Sequence, residues 1–276
     1  MRTVFCELTG QELHLPHRCE RVVSFSPAVT ETLFLAGLGD RVVGVSAFCV
    51  RPEAARKKTI VGSYDNFKEA TLRELAPDLV FTTTGYQMEL LRKLATTFPV
   101  YAVRLPPTVT AVIGTCVEAL LVAGYVPAAR ALERRLLAAL GDVLAGTVRP
   151  SKAPRVYVEI DLGGPVTFGA YSYITDALEL LGALPAFGDE SREWLVPDGV
   201  KLQAHPPDLV IYEPKMFSSR RQETDVRALL RPRLGELADQ VPLAVTPGRY
   251  DFLAHHGPSF ILEAMPWVSK VLAGLA

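Results

Sequence analysis

The chain lacks net charge, long apolar runs and the short motifs that mark most catalytic and nucleotide-binding sites. Its formal net charge is −1 over 276 residues, with no long basic stripe, which argues against nucleic acid as a partner. No apolar run reaches the length that crosses a bilayer. There is no Walker loop, no G-x-G-x-x-G after a strand, no G-x-S-x-G elbow and no H-E-x-x-H. Gly37 and Gly39 follow a helical run rather than a strand, so they read as helix terminators. Cysteine is scarce: Cys6, Cys19, Cys49 and Cys116 show no pairing pattern and read as free, partly buried thiols of a reducing compartment. Cys6, His14, His17 and Cys19 match no standard zinc spacing. The opening MRTVFCELTG has neither the basic segment nor the apolar core of a secretory signal. With Met1 as the native start the expected location is the cytoplasm; a removed leader would make it the periplasm or the cell surface.

What is present is a soluble globular balance, 49% hydrophobic and 21% charged, with ample core for one large or two ordinary domains. The organising stretch is Arg21 to Ser46. Val22, Val23 and Phe25 read as a buried strand, and Ser26-Pro27 stops it. Thr30-Glu31 opens a helix with an apolar face at Leu33, Phe34 and Leu38, and Val42 to Val45 begins a second strand. This βαβ unit predicts a parallel sheet covered by helices. The chain then repeats itself. Thr30 to Gly37 is echoed by Thr175 to Gly182, Pro77-Asp78-Leu79-Val80-Phe81 by Pro207-Asp208-Leu209-Val210-Ile211, and Arg21-Val22-Val23 by Arg155-Val156-Tyr157-Val158. Three elements recurring in one order predict an α/β fold of two similar Rossmann-like lobes.

Thr3 to Leu15 predicts a hairpin turning at Thr9-Gly10, and Ala47 to Phe67 an irregular segment. Helices are expected over Glu69 to Leu75, Tyr86 to Thr97 and Thr110 to Gly124, and strands at Leu79 and Val100. Pro127 opens a long helix with Leu132, Leu136, Leu140 and Leu144 at helical spacing. It is expected to be the single rigid connection between an N-terminal lobe (1–126) and a C-terminal lobe (147–276), with the helix itself over 127–146. The second lobe is expected to repeat the scheme, with strands from Arg155, Asp208 and Pro242 and helices from Ser172 and Glu223. A last helix over Pro258 to Leu275 should bend at Pro266.

Phe48, Tyr64, Tyr86, Phe168, Tyr171, Tyr173, Trp194, Tyr250 and Phe252 fall mostly in the connections between elements. In open α/β sheets these connections gather where ligands bind, beyond the carboxyl ends of the strands. Any one of them serves equally well as core. As a group from both lobes they predict an interlobe cleft suited to a large, flat, partly apolar ligand. His255 and His256 are the best metal candidates, yet adjacent residues on a regular element face apart and chelate one ion poorly.

The chain resembles the helical-backbone class of ABC-importer substrate-binding proteins, which take cobalamin, haem or ferric siderophores. The resemblance is carried by Leu8-Thr9-Gly10-Gln11-Glu12 with Leu15-Pro16, by Arg21 to Pro27 with Thr30-Glu31, and by Leu75-Ala76-Pro77-Asp78-Leu79-Val80. The Pro127 helix and the late Gly257-Pro258 add to it. It is nearest the cobalamin-binding branch, and it implies binding of a corrinoid or related tetrapyrrole without catalysis, as a monomer. Haem or a ferric siderophore is the alternative ligand. Phe48, Tyr64, Tyr86, Phe168, Tyr171, Trp194, Phe252 and His255 would form the ligand site, while Thr83 stands where that branch has another aromatic. The family also implies an ABC permease partner met by a glutamate on each lobe. Seven residues before the proline of each Pro-Asp-Leu-Val run stand Ala70 and Val200 instead, with Glu69 beside the first. A reading of another class makes the same frame a metal-cofactor enzyme or assembly chaperone working through His255, His256 and Asp251.

Overall fold

The computed structural model describes residues 1–85, 87–149, 151–220 and 222–275. The chain forms two compact units: Met1–Leu105 with Val112–Leu137, and Pro106–Ala111 with the residues from Ala138 onward.

In the first unit, β1 (Arg2–Cys6) and β2 (Gln11–Leu15) pair antiparallel, with Arg2 opposite Leu15 and Cys6 opposite Gln11. Gly10 makes the turn at φ +66°, a conformation that costs glycine nothing. A parallel five-stranded sheet follows. Its strands are β3 (Val22–Ser24), β4 (Val42–Ser46), β5 (Thr59–Gly62), β6 (Leu79–Thr83) and β7 (Val100–Val103), in the order β5-β4-β3-β6-β7. Val22, Val23, Leu79, Val80 and Phe81 are wholly buried, as both-face burial in a parallel sheet requires. Strand β5 lies inside the stretch expected to be irregular. It is an edge strand whose first two residues face solvent, so turn residues on both sides hide its short apolar pattern.

The first helix, α1 (Pro27–Leu35), starts three residues before the expected Thr30. Ser26 caps it by accepting the Val29 N–H, and Pro27 occupies the first turn, where its missing donor costs nothing. Thr30 and Thr32 are then interior and buried, and the Thr32 hydroxyl donates to the Ala28 carbonyl at 2.8 Å. Helix α2 (Glu69–Leu75) matches its expected span, while α3 (Met88–Leu94) is shorter than predicted. Helices α4 (Val109–Val122) and α5 (Val126–Gly146) complete this part of the chain. Leu132, Leu136 and Leu140 of α5 are buried, and its 21 residues make about 31 Å at 1.5 Å each. The division between the units falls inside both α4 and α5.

The second unit is built on β8 (Arg155–Asp161) and β12 (Leu209–Glu213), which pair in parallel, with β13 (Leu243–Val245) parallel to β12. It departs from simple repetition. The place of a full second strand is taken by the two-residue β10 (Leu184–Pro185), parallel to β8. Beside it, β9 (Pro165–Phe168) turns back antiparallel along β8 and carries β11 (Trp194–Leu195). The three strands β9, β10 and β11 are two to four residues long, too short for alternation to stand out in sequence.

Helix α6 (Tyr173–Leu180) starts after the Ser172 cap, and α7 (Gly199–Ala204) after Asp198, which accepts the N–H groups of Val200 and Lys201. Helix α8 (Glu223–Leu234) and the short α9 (Leu237–Gln240) close one face. Tyr157, Phe187, Leu202, Val210, Tyr212, Val226 and Leu230 form the core beneath them. The final helix is not one bent rod. A π-turn over Phe260–Ala264 leads into α10 (Met265–Ala273). Widening the turn just before Pro266 accommodates a residue with no N–H to give the preceding helix.

Candidate functional site

In the first unit the strand order reverses beside β3, with β4 on one side and β6 on the other. That is the switch point at which open α/β sheets take ligands. Phe48 follows β4 by two residues and Tyr64 follows β5 by two. Their rings stack with centroids 4.2 Å apart and planes at 29°, and both residues are half-buried.

The backbone beneath them is tied down at each turn. The Ala47 N–H donates to the Gly62 carbonyl at 2.9 Å, and the Ser63 N–H to the Asn66 carbonyl at 3.0 Å. The Ser46 hydroxyl accepts the Phe48 N–H at 3.3 Å. Gly62 is required here, because a Cβ would lie 2.2 Å from the Asn66 carbonyl oxygen. The Ser63 hydroxyl donates to Asp65 and holds that carboxyl below its ordinary value. Under the same loops Ser24, Ser26, Thr30, Ser46 and Cys49 are all buried. Burial pushes the Cys49 thiol up, which keeps it an unreactive packing group.

Gln87 is a site residue that composition and spacing do not reveal. It is buried, accepts the Thr83 N–H at 2.9 Å and donates to the Phe25 carbonyl at 3.2 Å. It thereby ties the end of β6 to the end of β3 at the switch point. The Thr83 hydroxyl is buried without a hydrogen-bond partner. Tyr86 lies outside the described residues.

In the second unit Phe168 and Trp194 sit on strands rather than in connections, directly opposite one another in the β9–β11 register. The pairing continues irregularly: Ala170 N–H donates to the Glu190 carbonyl at 2.8 Å and Tyr171 N–H to the Arg192 carbonyl at 3.0 Å. Gly169 permits this approach, since a Cβ there would meet the Glu190 and Arg192 carbonyl oxygens at 2.5 Å. The ribbon therefore groups Phe168, Tyr171 and Trp194, the last two with 57% and 42% of their surface exposed. Tyr173 belongs to the core: its hydroxyl donates to the Leu253 carbonyl at 2.8 Å and its ring packs edge-on against Phe260.

Phe252 and His255 are buried and stand apart from that ribbon in sequence and pairing. Phe252 packs edge-on against Trp267 with centroids 5.7 Å apart. Their segment is anchored by Glu213, the last residue of β12, whose carboxylate accepts the Leu253 and Ala254 N–H groups. Burial, and then the nearby Asp251, push Glu213 up to about 7 against the pull of those donors. Burial likewise pushes the neighbouring His256 down to about 3, so it stays neutral. Among the described residues no group of three or more His, Cys, Asp or Glu side chains is placed to hold a metal ion, and no helix is long and apolar enough to cross a membrane.

Ala70 and Val200 are both exposed in the first turns of surface helices, α2 and α7. The acidic neighbours are engaged locally. Glu69 pairs with Arg73 at 2.6 Å, and Asp198 is the cap of α7.

Aromatic faces thus stand at the carboxyl ends of β4 and β5 in the first unit and on the antiparallel β9–β11 ribbon in the second, as a protein that binds a ligand by stacking would present them. The model of the periplasmic binding protein family matches residues 22–231, and the chain belongs to that family, whose members bind and deliver substrates rather than transform them. It is 42% identical over 66 residues to a vitamin B12-binding protein of Yersinia pestis (strain Pestoides F), a match covering 24% of this chain and 24% of that relative. The chain thus spans about a quarter of the length of the curated relatives it matches. Among solved structures it is similar to a periplasmic heme-binding protein from Roseiflexus sp. RS-1 in apo form, at 19% identity and a TM-score of 0.77, over 93% of this chain and 98% of that one. It is also similar to a periplasmic vitamin B12-binding protein of Vibrio cholerae, at 18% identity and a TM-score of 0.70, over 94% and 99%. At these identities the structural likeness establishes the fold.

Proposed function

We propose that this protein binds a tetrapyrrole, a corrinoid first and haem second, as cargo and without chemistry of its own. The observation that carries the proposal is the Phe48–Tyr64 stack at the switch point of the first sheet, supported by the Phe168–Trp194 ribbon of the second unit. Flat aromatic faces give a planar macrocycle apolar area and stacking, the latter worth about 0.5–1.5 kcal/mol per ring. The names of the vitamin B12-binding and heme-binding relatives agree with this reading. A ferric siderophore comes third, since it offers less planar surface to such faces.

Tryptophan fluorescence tests the proposal, because Trp194 is part of the ribbon. Titration with cobalamin, cobinamide and haemin is expected to quench it saturably. Folded protein that is quenched by none of the three would refute the reading.

A permease partner fits the family. With Ala70 and Val200 at the docking positions, that contact would rely on Glu69 and on shape instead of a carboxylate on each unit. The family is typically periplasmic, and fractionation of native cells reads the location directly. Recovery from the periplasm supports import, and recovery from the cytosol supports storage, salvage or sensing.

A further inference from the structure

Two non-glycine residues among the described residues take a positive φ, Ala76 at 40° and Phe217 at 65°. Ala76 ends α2, with its N–H returned to the Leu72 and Arg73 carbonyls, so its conformation is an ordinary helix stop. Phe217 ends no helix. It holds the third position of a turn closed by the Ser218 N–H to the Lys215 carbonyl at 2.9 Å. Turns of that shape normally place glycine there. A bulky residue in its stead is strained, and strain of this kind collects where function needs a side chain held in place.

The surroundings over-determine the Phe217 conformation. Its N–H donates to the Arg249 carbonyl at 3.0 Å, and its ring meets Tyr250 edge-on with centroids 5.7 Å apart. Yet 53% of Phe217 remains exposed, so core packing does not explain the arrangement. The place does. The Phe217 turn follows β12, Arg249 and Tyr250 follow β13, and Lys215 Nζ lies 3.7 Å from where a Cβ on Gly163 would stand, in the turn after β8. Three connections thus meet beyond the carboxyl ends of three adjacent parallel strands.

Two cations there are left without an ion pair. Lys215 and Arg249 are exposed and have no carboxylate partner among the described residues. The carboxylates of Asp161 and Glu213 are turned to backbone N–H groups instead.

We infer that Phe217 and Tyr250 form a second aromatic binding surface of the second unit, and that Lys215 and Arg249 make it selective for a flat ring bearing carboxylate substituents. The inference rests on the tetrapyrrole reading above and, within it, reverses the order of ligands, favouring the free acid side chains of a haem-type ring over side chains that are amides, as in cobalamin, or esters.

The test uses the full chain with haemin, haemin dimethyl ester and cobalamin as probes. Phe217→Gly suits the turn and removes the ring. It should fold with an unchanged or higher unfolding midpoint and bind haemin about tenfold more weakly. Lys215→Gln/Arg249→Gln should weaken haemin binding, flatten its salt dependence and leave the ester unaffected. Variants that bind haemin as the wild type does would overturn the inference while leaving the tetrapyrrole reading intact. So would a wild type that prefers cobalamin or the ester. A wild type that binds no probe would overturn both.

Discussion

Replacing Glu213 by glutamine should change how stability depends on pH, in a direction set by the burial of this carboxyl. The side chain is 1% exposed and its pKa is pushed from an ordinary 4.5 up to about 7. Between those values the folded protein holds a proton on Glu213 that the unfolded chain has released. Raising the pH therefore favours unfolding. Stability from this group is fully present below pH 4.5 and is lost as pH rises through about 7. At about 1.4 kcal/mol per pH unit the loss amounts to about 3 kcal/mol.

Glutamine has the same shape and does not titrate. It keeps one acceptor for the Leu253 or Ala254 N–H but turns its amide toward the other, a constant cost of about 1–3 kcal/mol. The quantity to measure is the difference in unfolding free energy between Glu213→Gln and wild type, from urea titrations at pH 5, 6, 7 and 8. Titrating groups not coupled to Glu213 cancel in that difference, which leaves the carboxyl with its neighbour Asp251. It should move in favour of the variant by about 2.5 kcal/mol across the range, part of the loss having already occurred at pH 5. A difference that stays flat with pH would show that Glu213 is not held neutral by burial.

Three further outcomes follow from the same geometry. Arg233 grips Glu159, which lies on β8 and is wholly buried, through its Nε at 2.6 Å; Arg233→Ala should destabilise by about 3–5 kcal/mol in urea unfolding, with Arg233→Lys recovering only part. Phe48→Ala and Tyr64→Ala should each weaken tetrapyrrole binding by about tenfold in fluorescence titration, and the double variant should lose less than the sum because the rings support each other. Gly62→Ala should disturb the turn that carries Tyr64, lowering the unfolding midpoint and binding together; wild-type behaviour in both would refute the close approach at Asn66.

Much of this protein was legible as pattern. The buried runs of β3, β6, β8 and β12 are continuous because both faces of a parallel sheet are covered, and their repetition in one order announced two related units. Helices α2 and α8 begin where charge and apolar spacing indicated. Phe48 and Tyr64 stood out because aromatic residues in connections are rarely there for the strand's sake. Tertiary context decided the rest. Strands β5, β9, β10 and β11 are too short to carry a period, and exist because a neighbouring strand offers hydrogen bonds. Phe168 and Trp194 became partners only through that antiparallel ribbon, from positions 26 residues apart in sequence. Gln87 and Glu213 are polar residues whose burial no local pattern records, since each is enclosed by segments distant along the chain. The left-handed turn at Phe217 is likewise invisible in composition: residue type argues for core or strand, and only contacts with Arg249 and Tyr250 hold the ring where it is. Periodicity is a property of one segment and can be read along it, whereas burial, strain and pairing belong to the meeting of segments and are settled when the chain folds.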